Sequence, residues 1–383
     1  MKWPASVAVA DHSSLIDIPF PYLLSLVFLN LTLALLLRLA APVEPFLSNQ
    51  SDYQYVGEHG LAPNCPKQTY CYRVLIPALV EHIPLALPIR WRVYQVVANT
   101  AAGVLIAVAT VISLRQASAA IVASVMVQTS FGFAYTAYDP YTADPAVFLA
   151  SSIILLSWLV NRPRAAGIVT VICVFVKESV AFIGAAPAIA SLIWPRRDQW
   201  RLWTLQAVIA WTILLTFHLL MDHLFGWSLG TDPSYVYLVQ GAQLRLWLSE
   251  QGPSLAAFYI FAPFGFAWLY ALLGYCSAPK ELRSLGLGSV LPFLILIYLQ
   301  QPERALENGA FVIVPLAVAF LSRLPLSISL IAALTNGLFT AKVGSSTAWL
   351  PSAALLLAIA AIPAIYAVVA HYRDLAMGPR SRV

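Results

Sequence analysis

The chain has 383 residues, 60% of them hydrophobic and 10% charged, with a formal net charge of +5 and a pI near 9.0. A soluble protein of this size carries about 25% charged residues, so the composition and a mean hydropathy of +0.78 exclude a single water-facing globule. The basic pI does not point to nucleic acid, because Lys and Arg sit in short segments between apolar runs, where they orient a chain in a bilayer.

Lys2 is followed by an interrupted apolar stretch carrying Asp11 and Asp17. That is a poor cleavable signal, so the first span, 18–40, is expected to be retained. Runs of about 20 apolar residues satisfy their own backbone as helices across a membrane. Further spans are drawn at 93–113, 117–136, 142–160, 201–221, 254–275, 285–300, 308–322, 325–342 and 348–370. The expected fold is therefore all-α: a polytopic transmembrane bundle of about ten full spans, residues 1–383 forming one integral membrane domain. The interval 165–193 differs. It is broken at Lys177-Glu178-Ser179 and flanked by basic loops on both sides. A short helical hairpin with the charges at its tip returns both basic ends to one face and keeps the charges off the bilayer centre.

With the N-terminus inside, 13 of the 22 Lys and Arg fall on the inner side. Both termini are then cytoplasmic in a multi-pass protein of the inner membrane, with no soluble domain at either end. The first outer loop, 42–92, contains Asp52, Cys65, Cys71 and the apolar, proline-broken stretch after Arg73, expected as one or two short helices along the membrane surface. Cys65 and Cys71 lie on the oxidising side, where CPKQTYC is suited to a disulfide; two free thiols are the alternative. Cys173 and Cys276 read as inert fillers within or at the edge of spans.

Charged residues at the outer ends of spans are the candidates for chemistry. Asp52, among Tyr53, Tyr55 and Tyr70, is placed for a general base or is a solvated loop acid. In the turn YDPYTADP, Asp144 with Pro145 is suited to cap the next helix, which leaves Asp139 as the freer acid. Acids near Asp52 would offer oxygen ligands to a divalent metal, Mg or Mn, or would only place a hydroxyl. Lys177 and Glu178 are a structural ion pair or a substrate site. Arg304, between Glu303 and Glu307, is suited to hold a phosphate or is neutralised along its own helix. His218, Asp222 and His223 have metal-ligand spacing without further support, and an interfacial belt accounts for them. No glycine-rich phosphate loop, zinc signature or nucleophile elbow is present.

The order of these features resembles the GT-C class of polytopic membrane glycosyltransferases, in particular its bacterial mannosyltransferase-like and lipid-A-sugar-transferase-like branches. The matching elements are Asp52 in SDYQY, the Arg73-Val-Leu-Ile-Pro77 run, Asp139 or Asp144 in the next outer turn, the Lys177-Glu178 hairpin and the late Arg304. The resemblance covers about residues 15–195 best. It implies transfer of a sugar from a polyprenyl-phosphate donor to a glycan or lipid-linked acceptor at the outer face, with inversion. Asp52 would then be the base, and Arg304 and Lys177 would hold the departing phosphate, with Arg73, Glu178, Asp139, Asp144 and Glu303 as substrate-binding neighbours. The chain departs from the pattern in lacking a soluble C-terminal domain and a strict Asp-x-Asp, so metal dependence does not follow. The competing expectations are a transporter or flippase, whose sign would be matching broken helices in two halves, and an assembly partner without activity of its own.

Overall fold

The computed structural model describes residues 18–42, 49–65, 68–193, 199–227, 242–299, 301–347 and 349–377. The expectations placed on Lys2, Asp11 and Asp17 lie outside them, as do those on the loop residues 228–241. The described residues are helical, with no strand. In order, the helices are α1 Phe20–Ala40, α2 Gln50–His59, α3 Gln68–Cys71, α4 Leu75–Glu81, α5 Leu87–Leu114, α6 Ala117–Gln128, α7 Phe131–Tyr138, α8 Asp144–Leu159, α9 Pro163–Cys173 and α10 Ser179–Ile193. There follow α11 Trp200–Phe225, α12 Ala242–Phe261, α13 Ala267–Tyr275, α14 Lys280–Leu299, α15 Pro302–Leu306, α16 Ala310–Leu321, α17 Leu326–Ser345 and α18 Ala353–Met377.

Among the described residues seven segments are long and apolar enough to cross a membrane: α1, α5, α11, α14, α17, α18, and the continuous stretch Pro302–Leu321 that joins α15 to α16; they are eight if the bent pair α6 and α7 is one span. The sequence windows stop short of charges and prolines, whereas several helices take them into their first turn. Proline stands in the first turn of α1, α5, α8, α9 and α15, where its missing N–H costs nothing and its fixed φ suits the helix. Thus α5 begins at Leu87, before the expected 93, and takes in Arg90, whose charge is met by Glu81 at 2.6 Å. Of the surface helices expected over 73–92, only α4 is separate. The expected span 254–275 is two helices, α12 and α13, and α12 is kinked at Gly252.

Two apolar runs are interrupted, the bent span α6–α7 and the α12–α13 run, and one helix bonds at both breaks. Between α6 and α7 the axis bends by 46°, and Thr340 of α17 donates to the Thr129 carbonyl at 2.7 Å. Between α12 and α13, Gly265 takes a positive φ of 52°. There Asn336, also on α17, accepts from the Phe266 N–H at 2.7 Å and donates to the Phe264 carbonyl at 3.1 Å. Inside a bilayer, backbone groups freed by a break need protein partners, and these two side chains supply them.

The interval 165–193 is a hairpin. A Cβ built on Gly184 would lie 2.4 Å from Thr170 Cγ2, and the two residues are each seven positions from Lys177. That symmetry is antiparallel packing of α9 on α10, with 174–178 as the tip. The tip is tied to the first loop through the Leu75 N–H and the Phe175 carbonyl at 3.2 Å. Elsewhere small residues allow close helix contact, as expected for packing in lipid: a Cβ on Gly274 of α13 would meet the Leu316 carbonyl of α16.

Candidate functional site

Five chain segments meet at one end of the bundle: the start of α2, the α3–α4 turn, the turn between α7 and α8, the hairpin tip, and α15 with the 3-10 turn Glu307–Gly309. Asp144 is at their centre. It is the first residue of α8, but its side chain caps nothing. Its two oxygens instead accept from Lys177 Nζ at 2.6 Å and Arg304 Nη2 at 2.6 Å, and Thr142 Oγ1 donates to it at 2.8 Å. The carboxylate is 0% exposed, and two cations around one buried acid compensate its desolvation. The capping expectation for Asp144 is thus replaced by a three-residue ion cluster drawn from α8, the tip and α15.

Lys177 and Glu178 do not pair with each other, although they are adjacent. Successive residues at the tip point to different neighbours, so Lys177 goes inward to Asp144. Glu178 takes a two-pronged bond from Arg73, through Nε at 3.2 Å and Nη2 at 2.6 Å. Burial alone would push the Glu178 carboxyl up, but the Arg73 guanidinium outweighs it and holds the group down at about 2. Arg73 also lies over the Tyr70 ring, 5.1 Å from its centroid, and Nη1 approaches the Tyr53 hydroxyl at 3.4 Å.

Arg304 has a second face. Its guanidinium lies 4.0 Å above the Tyr135 ring of α7, a cation–π contact. Tyr135 in turn reaches Asp139 at 3.4 Å. Asp139 accepts from the Tyr141 N–H at 3.2 Å and meets Asn49 Nδ2 at 3.4 Å. Burial pushes the Asp139 carboxyl up to about 6, against the opposing pull of Arg304 and the Tyr141 N–H. Asn49 accepts from the Tyr70 hydroxyl at 2.6 Å, which closes the circuit back to Arg73.

Asp52 is half-buried in the first turn of α2, three positions after Asn49. That spacing puts the two residues on one helix face, about one turn apart. The neighbour of Asp52, Tyr53, is buried against Tyr70 and Trp91. Glu303 sits at the start of α15 with Oε2 buried and without a hydrogen-bond partner, whereas Glu307 comes within 3.6 Å of Arg304. The sequence named Glu303 as a substrate-binding neighbour and Glu307 as an acid able to neutralise Arg304 along its own helix, and the i, i+3 approach of Glu307 agrees with the second. Nothing linear marked Tyr135 or Asn49.

Cys65 and Cys71 form a disulfide. It packs with Tyr72, Met221 and Trp227, and Tyr72 stacks on His218 at 3.9 Å, so His218 belongs to an aromatic contact between the first loop and α11. No group of three or more His, Cys, Asp or Glu placed to hold a metal occurs among the described residues. Asp144 in particular spends its oxygens on two cations and a hydroxyl, which does not suit a metal ligand. No family model, curated protein or solved structure matches this chain. On the far side of the Arg304 segment, Leu306 and Gly309 help line an apolar cavity of 220 Å³ with Phe293, Leu294 and Val290. Val290 and Leu294 are also exposed on the bundle surface.

Proposed function

We propose that the protein is a membrane glycosyltransferase of GT-C type that moves a sugar from a polyprenyl-phosphate donor to an acceptor hydroxyl at the outer face. The observation that carries this reading is the gathering of Arg73, Lys177 and Arg304 with Asp139, Asp144 and Glu178, from four separate segments, at one end of an apolar bundle. Arg304 and Lys177 hold the lipid phosphate, and the neighbouring apolar cavity receives part of its chain. Asp52 takes the proton from the acceptor hydroxyl. The acceptor oxygen then bonds to the anomeric carbon as the bond from that carbon to the phosphate oxygen breaks, with inversion. The phosphate leaves with the electron pair, and its growing charge is met by cations already in place. Asp144 is a positioning residue: it fixes both cations before substrate arrives.

The direct test incubates the purified protein with a polyprenyl-phosphate sugar and an acceptor lipid and follows transfer of label. Asp52→Asn is expected to lower the rate by at least 100-fold with donor binding retained. Transfer by the variant at the parent rate removes Asp52 from the base role.

A transporter or flippase is the second reading. The buried ion cluster is the observation that favours it, since intramembrane charges also mark solute paths. Donor-independent uptake into sealed vesicles would select it.

A further inference from the structure

Buried side-chain polar atoms without a hydrogen-bond partner concentrate in one short stretch. Glu303 Oε2, Arg304 Nη1, both oxygens of Glu307 and Asn308 Oδ1 all fall within it. Among the described residues, Glu307 is the acid with both carboxyl oxygens in this condition. It is 1% exposed. A Cβ built on Gly132 of α7 would lie 2.9 Å from Glu307 Cβ and 2.8 Å from Phe148 of α8, so the side chain is wedged between those helices. Its nearest cation, Arg304, stands off at 3.6 Å through Nε while holding Asp144 at 2.6 Å. An ionised carboxylate, buried and given no donor, is the costliest polar arrangement a fold can contain, and a bound proton relieves it.

We propose that Glu307 carries a proton in the resting protein and that this proton sets the anion affinity of the Arg304–Lys177 site. The charged groups within electrostatic reach of Glu307 are Arg304, Asp144, Lys177 and Glu303. Tyr135 of α7 faces the same guanidinium and leads on to Asp139; α16, packed behind, has no titratable residue. Lys177 and Arg304 bring two positive charges and Asp144 one negative charge. With Glu307 neutral, the bonded trio of Lys177, Asp144 and Arg304 keeps a surplus of one positive charge, which suits a phosphate; Glu303 stands outside that trio, with Oε2 buried and without a hydrogen-bond partner. Loss of the proton cancels the surplus and weakens the site. Glu307 is thus a positioning residue for the proposed transfer, and the anion half of the inference rests on that reading.

The test uses the full-length protein in lipid nanodiscs. Infrared titration is expected to show a protonated-carboxyl band at neutral pH that persists in Asp139→Asn and is lost in Glu307→Gln. Binding of a polyprenyl phosphate, and separately of inorganic phosphate, is then measured against pH. The parent's affinity is expected to fall on the alkaline side by up to about tenfold per pH unit, the limit for one linked proton, while Glu307→Gln stays flat. The lipid and inorganic arms tell a headgroup site from a free-phosphate site. Absence of the band in Asp139→Asn overturns the inference, as does the same alkaline fall in Glu307→Gln; both leave the transfer reading standing. Failure of both phosphates to bind at every pH overturns that reading and the anion role together. Should Glu307→Gln not fold, the double variant Asp139→Asn, Glu303→Gln decides the proton alone: the band is expected to persist there, and its absence overturns the inference.

Discussion

Two carboxylates at the charged end of the bundle respond to substitution to very different degrees. Removing the Asp144 charge leaves Lys177 and Arg304 buried without compensation, and Asp144→Asn is expected to cost about 3–5 kcal/mol. Glu178→Gln breaks a pair whose acid is 38% exposed, where water already screens the charge, so its expected cost is about 1 kcal/mol or less. Thermal unfolding in detergent compares them, and equal losses would contradict the buried cluster. Asp139 carries the pH signature. Its folded value of about 6 exceeds the unfolded value near 3.9, so the native state binds more protons in between. Stability therefore falls as pH rises from about 4 to about 6, by roughly 2–3 kcal/mol. Asp139→Asn is expected to flatten that window, as unfolding temperature against pH would show.

The hairpin is where sequence reasoning reached furthest among the elements. Basic loops on both sides of 165–193 made a single crossing awkward, and charge placement alone argued for a return to the same face. Sequence could not say where the tip charges go, because Lys177 and Glu178 choose partners 33 and 105 positions away. Nor could it foresee the breaks inside 117–136 and 254–275, since a continuous apolar run looks alike whether straight or bent. The close contact of α9 and α10 gives a direct check. Gly184→Ala drives a methyl into Thr170, and overpacking of this kind costs about 1–3 kcal/mol. Thr170→Ala in the same chain is expected to recover most of that loss, because the obstructing atoms are Cγ2 and Oγ1 of Thr170. Gly274→Ala has no such remedy, since the atom it meets is the Leu316 backbone carbonyl. Measured stabilities of the three variants and the double substitution separate these cases.

At the scale of the whole molecule, helical membrane character was legible from composition. The meeting of Arg73, Asp139, Asp144, Lys177 and Arg304 was not, because it depends on how the helices are ordered across the bundle. The orientation has a simple check. A single cysteine at Glu58, in α2, is expected to react with a membrane-impermeant maleimide in intact cells, whereas one at Ser277, between α13 and α14, reacts only after the membrane is opened. The reverse pattern would move the whole charged end to the cytoplasm and with it the proposed use of an outer-face donor.

The double repair made by α17 also reaches the charged end, though neither Asn336 nor Thr340 is part of it. Thr340 anchors the bend above α7, and α7 carries the Tyr135 ring beneath Arg304; Asn336 anchors the other bend from the same rod. Two interrupted columns thus lean on a single post, and whatever tilts that post displaces the aromatic shelf on which the guanidinium rests.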